Sequence, residues 1–157
     1  MLTRRSFIST ASIAALGTAT FSGAARAASF EITKSKAEWK AILTAEQYRV
    51  LRREGTERAF SSPLNDEKRA GTFHCAGCDL PVYPSSTKYD SGTGWPSFWA
   101  SLENAVGTKR DWKLVVPRTE VHCRRCGGHL GHIFNDGPKP TGKRHCLNGV
   151  ALTFKPA

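Results

Sequence analysis

Two stretches near the start of the folded part carry a helical pattern. Ser35-x-x-Glu38 and Thr44-x-x-Gln47 are both capping-box patterns, each followed by residues of good helix propensity, with Gly55 closing the second. The spacing predicts two short helices, over about 36–42 and 45–54. Trp39, Ile42 and Leu43 share one helical face and Tyr48, Val50 and Leu51 another, so both helices should lie over an apolar surface. From Gly71 the pattern becomes short apolar or alternating runs separated by Gly, Pro, Asn and Asp, and predicts strands at 72–75, 81–83, 112–117, 120–123, 130–134 and 146–154. Helices first and strands after imply an α+β, mainly β fold built on an antiparallel sheet. Residues 89–98 hold too many Gly and Pro for a strand and read as a loop, yet Trp95, Phe98 and Trp99 crowd its end. Three aromatics in five residues suggest an apolar cage for a methyl or thioether group.

The first 27 residues do not share this pattern. Arg4-Arg5-Ser6-Phe7 precedes a modestly apolar stretch without acidic residues, and Ala25-Arg26-Ala27 supplies an A-x-A cleavage site. The stretch is too short and too rich in Ser, Thr and Gly to span a bilayer, so no stable membrane insertion is expected, and the paired arginines resemble a twin-arginine export signal. The expected organisation is a cleavable signal at 1–27, a single domain at 28–157, and delivery to a bacterial periplasm. Cleavage lowers the formal charge from +10 to +7, because Arg4, Arg5 and Arg26 leave with the signal. The remaining Lys and Arg are scattered, without a dense tract or interleaved aromatics, which argues against nucleic acid as a partner.

Four of the five cysteines form two knuckles, Cys75-Ala-Gly-Cys78 and Cys123-Arg-Arg-Cys126. A C-x-x-C turn presents two thiolates to one ion, and two such turns complete a tetrahedral site. The knuckles lie too far apart for a zinc finger, so a metal would clamp distant parts of a sheet and be structural. Two disulfides or a four-cysteine iron centre are the alternatives to zinc. With all four positions taken by thiolate, catalysis must come from elsewhere.

The fifth, Cys146, lies in Lys143-Arg144-His145-Cys146-Leu147-Asn148, at the start of an apolar run. Alternation puts Cys146, Asn148, Val150, Leu152 and Phe154 on one face. Neighbouring positive charge from Lys143, Arg144 and His145 favours thiolate. His129-Leu-Gly-His132 follows the second knuckle directly. Strict alternation separates the two histidines, so either Gly131 marks a bulge or only one imidazole reaches the cysteine.

Three blocks, Ser91-Gly-Thr-Gly-Trp-Pro-Ser-Phe98, Cys126-Gly-Gly-His-Leu-Gly-His-Ile-Phe-Asn-Asp-Gly137 and Arg144-His-Cys-Leu-Asn148, together with both knuckles, closely resemble the methionine-(R)-sulfoxide reductase B family over residues 33–155. The resemblance implies two antiparallel sheets in a tent-like arrangement with peripheral helices, one structural zinc on Cys75, Cys78, Cys123 and Cys126, and thiol-dependent reduction without an organic cofactor. Carried over by position, Cys146 is the nucleophile and His132 the proton donor, with Asn148 and His129 as further catalytic residues. Trp95, Phe98, Phe134, Asp136 and Arg144 are the expected substrate-binding residues. Oxidised methionine, in proteins or free, would be the substrate and a thioredoxin-like protein or another thiol the reductant, acting on a monomer. His145 and Gly149 depart from the Tyr and Ser often seen beside the nucleophile, and Thr93 stands where many members carry a second redox cysteine. The competing reading is a zinc-stabilised β module that binds a partner through its aromatics, with Cys146 incidental.

Overall fold

A computed structural model describes residues 30–157. The signal expected at 1–27 lies outside the described residues. Helices α1 (Lys36–Ile42) and α2 (Ala45–Arg53) start where their capping boxes stand: Ser35 and Thr44 accept from the backbone N–H of Glu38 and Gln47, whose side chains accept from the cap N–H in return. Each box contributes about 1 kcal/mol to helices otherwise too short to persist. Trp39, Leu43, Val50 and Leu51 are buried as the periodicity predicts, but Ile42 is exposed, because α1 ends there and Leu43 already turns the chain inward. α2 packs on the strand His129–Phe134 of the larger sheet and on the short 3-10 helix Gly149–Ala151.

The strands form two antiparallel sheets. β1 (Gly71–Cys75) lies between β2 (Pro81–Pro84) and β9 (Leu152–Pro156). The larger sheet has the order β3-β4-β8-β7-β6-β5, made by Lys88–Tyr89, Ser97–Phe98, Arg144–Leu147, His129–Phe134, Arg118–Cys123 and Val106–Asp111 respectively. Between the sheets, Phe98 packs against Phe73 and Tyr83 at ring separations of 4.9 and 4.7 Å. The mainly β class with two antiparallel sheets is therefore what the chain adopts.

Two strand expectations need correction. The apolar run 112–117 is the tip of the β5–β6 hairpin, and the strand before it is the more polar Val-Gly-Thr-Lys-Arg-Asp, an edge strand whose central residues face solvent. The expected strand over 146–154 is broken by the 3-10 helix, so that β8 and β9 belong to different sheets and the assumed alternation stops at Leu147. Asn148 starts that helix instead of continuing a strand.

Candidate active site and metal centre

Register builds the site. Residues directly opposite one another in antiparallel strands share a face. Pairing Lys109 with Glu120, Glu120 with His132, His132 with Cys146, Cys146 with Ser97, and Ser97 with Tyr89 lays one row of side chains across all six strands. Two residues along each strand, Asp111, Arg118, Phe134 and Arg144 form a second row on that face. The opposite face carries Phe98, His145, Leu147 and Val121 into the core. Cys146 and His132 are thus neighbours by construction, on the wall of a cavity of about 310 Å³ that Thr56, Thr93, Trp95, Arg118, Phe134, Arg144 and Asn148 also line.

The histidine question is resolved by a bulge at Leu130, not Gly131. Between the pairs Val121–Gly131 and His122–His129 the register shifts by one residue, which returns His129 to the side of His132 and brings the rings to 5.3 Å, edge to face. Gly131 answers a different need: a Cβ there would lie 2.1 Å from the carbonyl oxygen of Cys146, so only glycine allows β7 and β8 this close. His129 stays behind His132, 2% exposed, with Nδ1 3.0 Å from the Glu120 carboxylate, and does not line the cavity. Burial pushes the Glu120 carboxyl up, but His129 and Lys109 outweigh it and hold it below its ordinary value.

His132 is fixed by a residue that sequence reasoning missed. Its Nε2 lies 2.7 Å from Asp111 Oδ2, which also accepts from Arg118 at 2.7 Å, while Asp111 Oδ1 accepts from the Lys113 N–H. That backbone N–H, with His132 and Arg118, holds Asp111 far below the usual carboxylate range. Burial lowers the His132 pKa, and the Asp111 carboxylate opposes it. The signal was hidden because 112–117 read as a strand; read as a hairpin tip, it puts Asp111 and Arg118 opposite each other.

Other expected residues fall into place differently. Trp95 lines the cavity, its Nε1 donating to the Glu57 carbonyl at 3.2 Å. Asn148 is buried, with Nδ2 donating to the Leu130 carbonyl and Oδ1 accepting from the Glu57 N–H. Glu57 also accepts from the N–H groups of Gly149 and Val150, and burial pushes its carboxyl up. Asp136 lies outside the cavity as a two-point anchor for Arg144, at 2.9 and 2.8 Å, and the guanidinium sits 4.5 Å from the Phe134 ring. Phe98 is a correction: it is fully buried in the core, because the pair Ser97–Phe98 is a strand whose parity gives Ser97 to the cavity side.

The departures also face elsewhere. His145 contacts the Tyr83 hydroxyl through Nδ1 at 2.9 Å, and burial pushes it down to about 4, so it adds no positive charge beside Cys146. Gly149 leaves room for Ser62, whose Oγ a Cβ would approach to 1.9 Å. Neither lines the cavity, whereas Thr93 does, with Oγ1 3.8 Å from Cys146 Sγ.

The four knuckle cysteines converge, their sulfurs all within 4.8 Å of one another. Cys75 and Cys126 are 3.7 Å apart, Cys78 and Cys123 3.5 Å. Four thiolates about 2.3 Å from a tetrahedral ion sit about 3.8 Å apart, so the cluster fits one metal ion. The observed separations are well beyond the roughly 2.05 Å of a disulfide bond, and the four-sulfur arrangement favours a metal over two disulfides.

The SelR domain family matches residues 43–156. The chain belongs to the MsrB family. Relatives in that family include a peptide methionine sulfoxide reductase MsrB of Pseudomonas putida (strain W619), 55% identical over 127 residues that cover 80% of this chain and 96% of that one. The MsrB of Methanosarcina barkeri is 52% identical over 125 residues, 79% and 88% of the two chains. The chloroplastic peptide methionine sulfoxide reductase B1 of Arabidopsis thaliana is 53% identical over 119 residues, 75% of this chain and 59% of that one. MsrB membership makes the chain an enzyme of the oxidoreductase class.

Proposed function

We propose that this MsrB protein reduces methionine-(R)-sulfoxide, in proteins or free, by attack of the Cys146 thiolate on the sulfoxide sulfur. The oxygen passes to the cysteine as the thioether is released, leaving methionine and Cys146 sulfenic acid. His132 supplies the proton that the oxygen needs as its bond to the methionine sulfur breaks. The observation that carries this reading is the register pair His132–Cys146, set on one cavity wall with Trp95 and Phe134 as apolar neighbours for the methyl group.

Recycling consumes two thiols. The first condenses with the sulfenic acid, forming a mixed disulfide and releasing water; the second breaks that disulfide and restores Cys146. With Thr93 in contact with Cys146 and the other four cysteines in the cluster, both thiols come from an external reductant such as a thioredoxin-like protein. The cluster ligands Cys75, Cys78, Cys123 and Cys126 suit zinc, one per chain, in a structural role. We further infer that residues 1–27 export a monomeric, single-domain 28–157 product by the twin-arginine route to a periplasm; no described helix is long and apolar enough to cross a membrane.

The test is reduction of separated R and S sulfoxides with dithiothreitol. The R form should be turned over and the S form not, and Cys146→Ser should abolish turnover while keeping metal content and fold. Activity that survives Cys146→Ser sinks the reading.

A further inference from the structure

Seven large hydrophobic residues stand exposed among the described residues, and four of them, Trp112, Leu114, Val115 and Val116, occupy a single hairpin tip between β5 and β6. They are between 57% and 102% exposed. Scattered surface apolar residues need no explanation, but a contiguous tip of this kind marks an interaction site.

Two observations say what covers it. The tip grows out of the cavity wall: Asp111, its last residue before the turn, binds His132, and Arg118, its first residue after, lines the cavity. At about 3.3 Å per residue, Val116 stands only about 7 Å along the chain from Arg118, so a polypeptide held in the cavity by one side chain meets the tip within a few residues. Second, the hairpin's charge is largely neutralised within the protein. Lys109 pairs with Glu54 and Glu120, Lys113 with Glu54, and Arg118 with Asp111. Arg110 is drawn over the Trp112 ring, 5.8 Å from its centre. An anionic lipid surface would be met by free basic side chains around the apolar ones, and here three of the four basic residues carry acidic partners.

We propose that the Trp112–Val116 tip is a docking surface for extended apolar segments of oxidised polypeptides, holding the residues that flank the sulfoxide. The proposal rests on the methionine sulfoxide reading and adds to it a preference in sequence context.

The experiment compares the intact protein with the variant Leu114→Ser, Val115→Ser, Val116→Ser, none of which lines the cavity. Two methionine-(R)-sulfoxide peptides are used, one with Leu and Val flanks and one with Ser and Gly flanks, alongside free methionine-(R)-sulfoxide. The intact protein should favour the apolar peptide about tenfold in kcat/KM through KM, which corresponds to about 1.4 kcal/mol. The variant should lose that preference while its rate on free sulfoxide stays within about twofold. Anisotropy of the labelled peptides on Cys146→Ser protein, with and without the three serines, reads docking without turnover. A failure of the reductase reading would abolish turnover yet leave this difference in binding intact. Equal peptide binding by both proteins overturns the docking proposal. So does a difference that appears instead with phospholipid vesicles or in self-association by sedimentation velocity, since either would give the tip another occupant.

Discussion

His132 meets two demands that pull its proton in opposite directions. Burial disfavours the imidazolium, and the Asp111 carboxylate 2.7 Å away restores part of what burial removes. If the imidazolium is the proton donor, activity is present below its pKa and is lost as pH rises through it. Asp111→Asn removes the opposing charge, lowers that pKa further and should move the alkaline limb of kcat to lower pH. A pH profile of kcat for both proteins checks this, and an unmoved limb would detach Asp111 from His132. His132→Ala should lower kcat by about 10²–10⁴ with a smaller change in KM, as measured by steady-state kinetics. Thr93 allows a different test. Its Oγ1 touches Cys146 Sγ at 3.8 Å, so Thr93→Cys should form an internal disulfide after one equivalent of sulfoxide, seen by mass spectrometry with metal retained, where the parent protein stops at sulfenic acid.

At the level of elements, the closest approach in the site is backbone on backbone. β7 and β8 meet where Gly131 faces the Cys146 carbonyl, and neither side can yield as a flexible side chain would. Gly131→Ala should therefore cost about 3 kcal/mol, visible as a lower urea midpoint at unchanged m, and should lower kcat by separating His132 from Cys146. The elements also show what the chain's pattern reveals. Capping boxes marked both helices to within a residue, because a cap is a local hydrogen-bonding requirement written in adjacent residues. The knuckles were legible for the same reason. The strand at 106–111 was not, since an edge strand with solvent on both sides has no apolar alternation to read, while the apolar tip beside it mimicked one. Phe98 was misplaced because parity within a two-residue strand depends on its register with β8, Ser97 against Cys146 and Phe98 against His145, which lies far away in sequence. Asp111 reaches His132, and Glu57 reaches Gly149 and Val150, only through contacts distant in sequence, and nothing near them in the chain announces this.

For the whole molecule the cysteine cluster is a joint between sheets. Cys75 ends β1 in the small sheet and Cys123 ends β6 in the large one, so a metal on the four sulfurs ties the two together. Surrounding contacts reinforce the joint: Arg52 donates to the Cys126 carbonyl and Ile32 to that of Arg125. Metal analysis should find one zinc per chain. Chelation, or Cys78→Ser, should lower Tm by far more than 10 °C, since such sites couple about 10–16 kcal/mol of binding to folding. A melting curve unchanged by chelation would assign the joint to packing alone.

The strand that joins the two kinds of sulfur also keeps them apart. His132, opposite Cys146, stands three residues beyond His129 across the bulge at Leu130, and the second knuckle lies before His129. A disulfide requires Cα atoms within about 7 Å. On the proposed cycle β7 would serve as a spacer: oxidation of Cys146 is expected to stay at its own end of the strand and to leave the four cluster cysteines untouched.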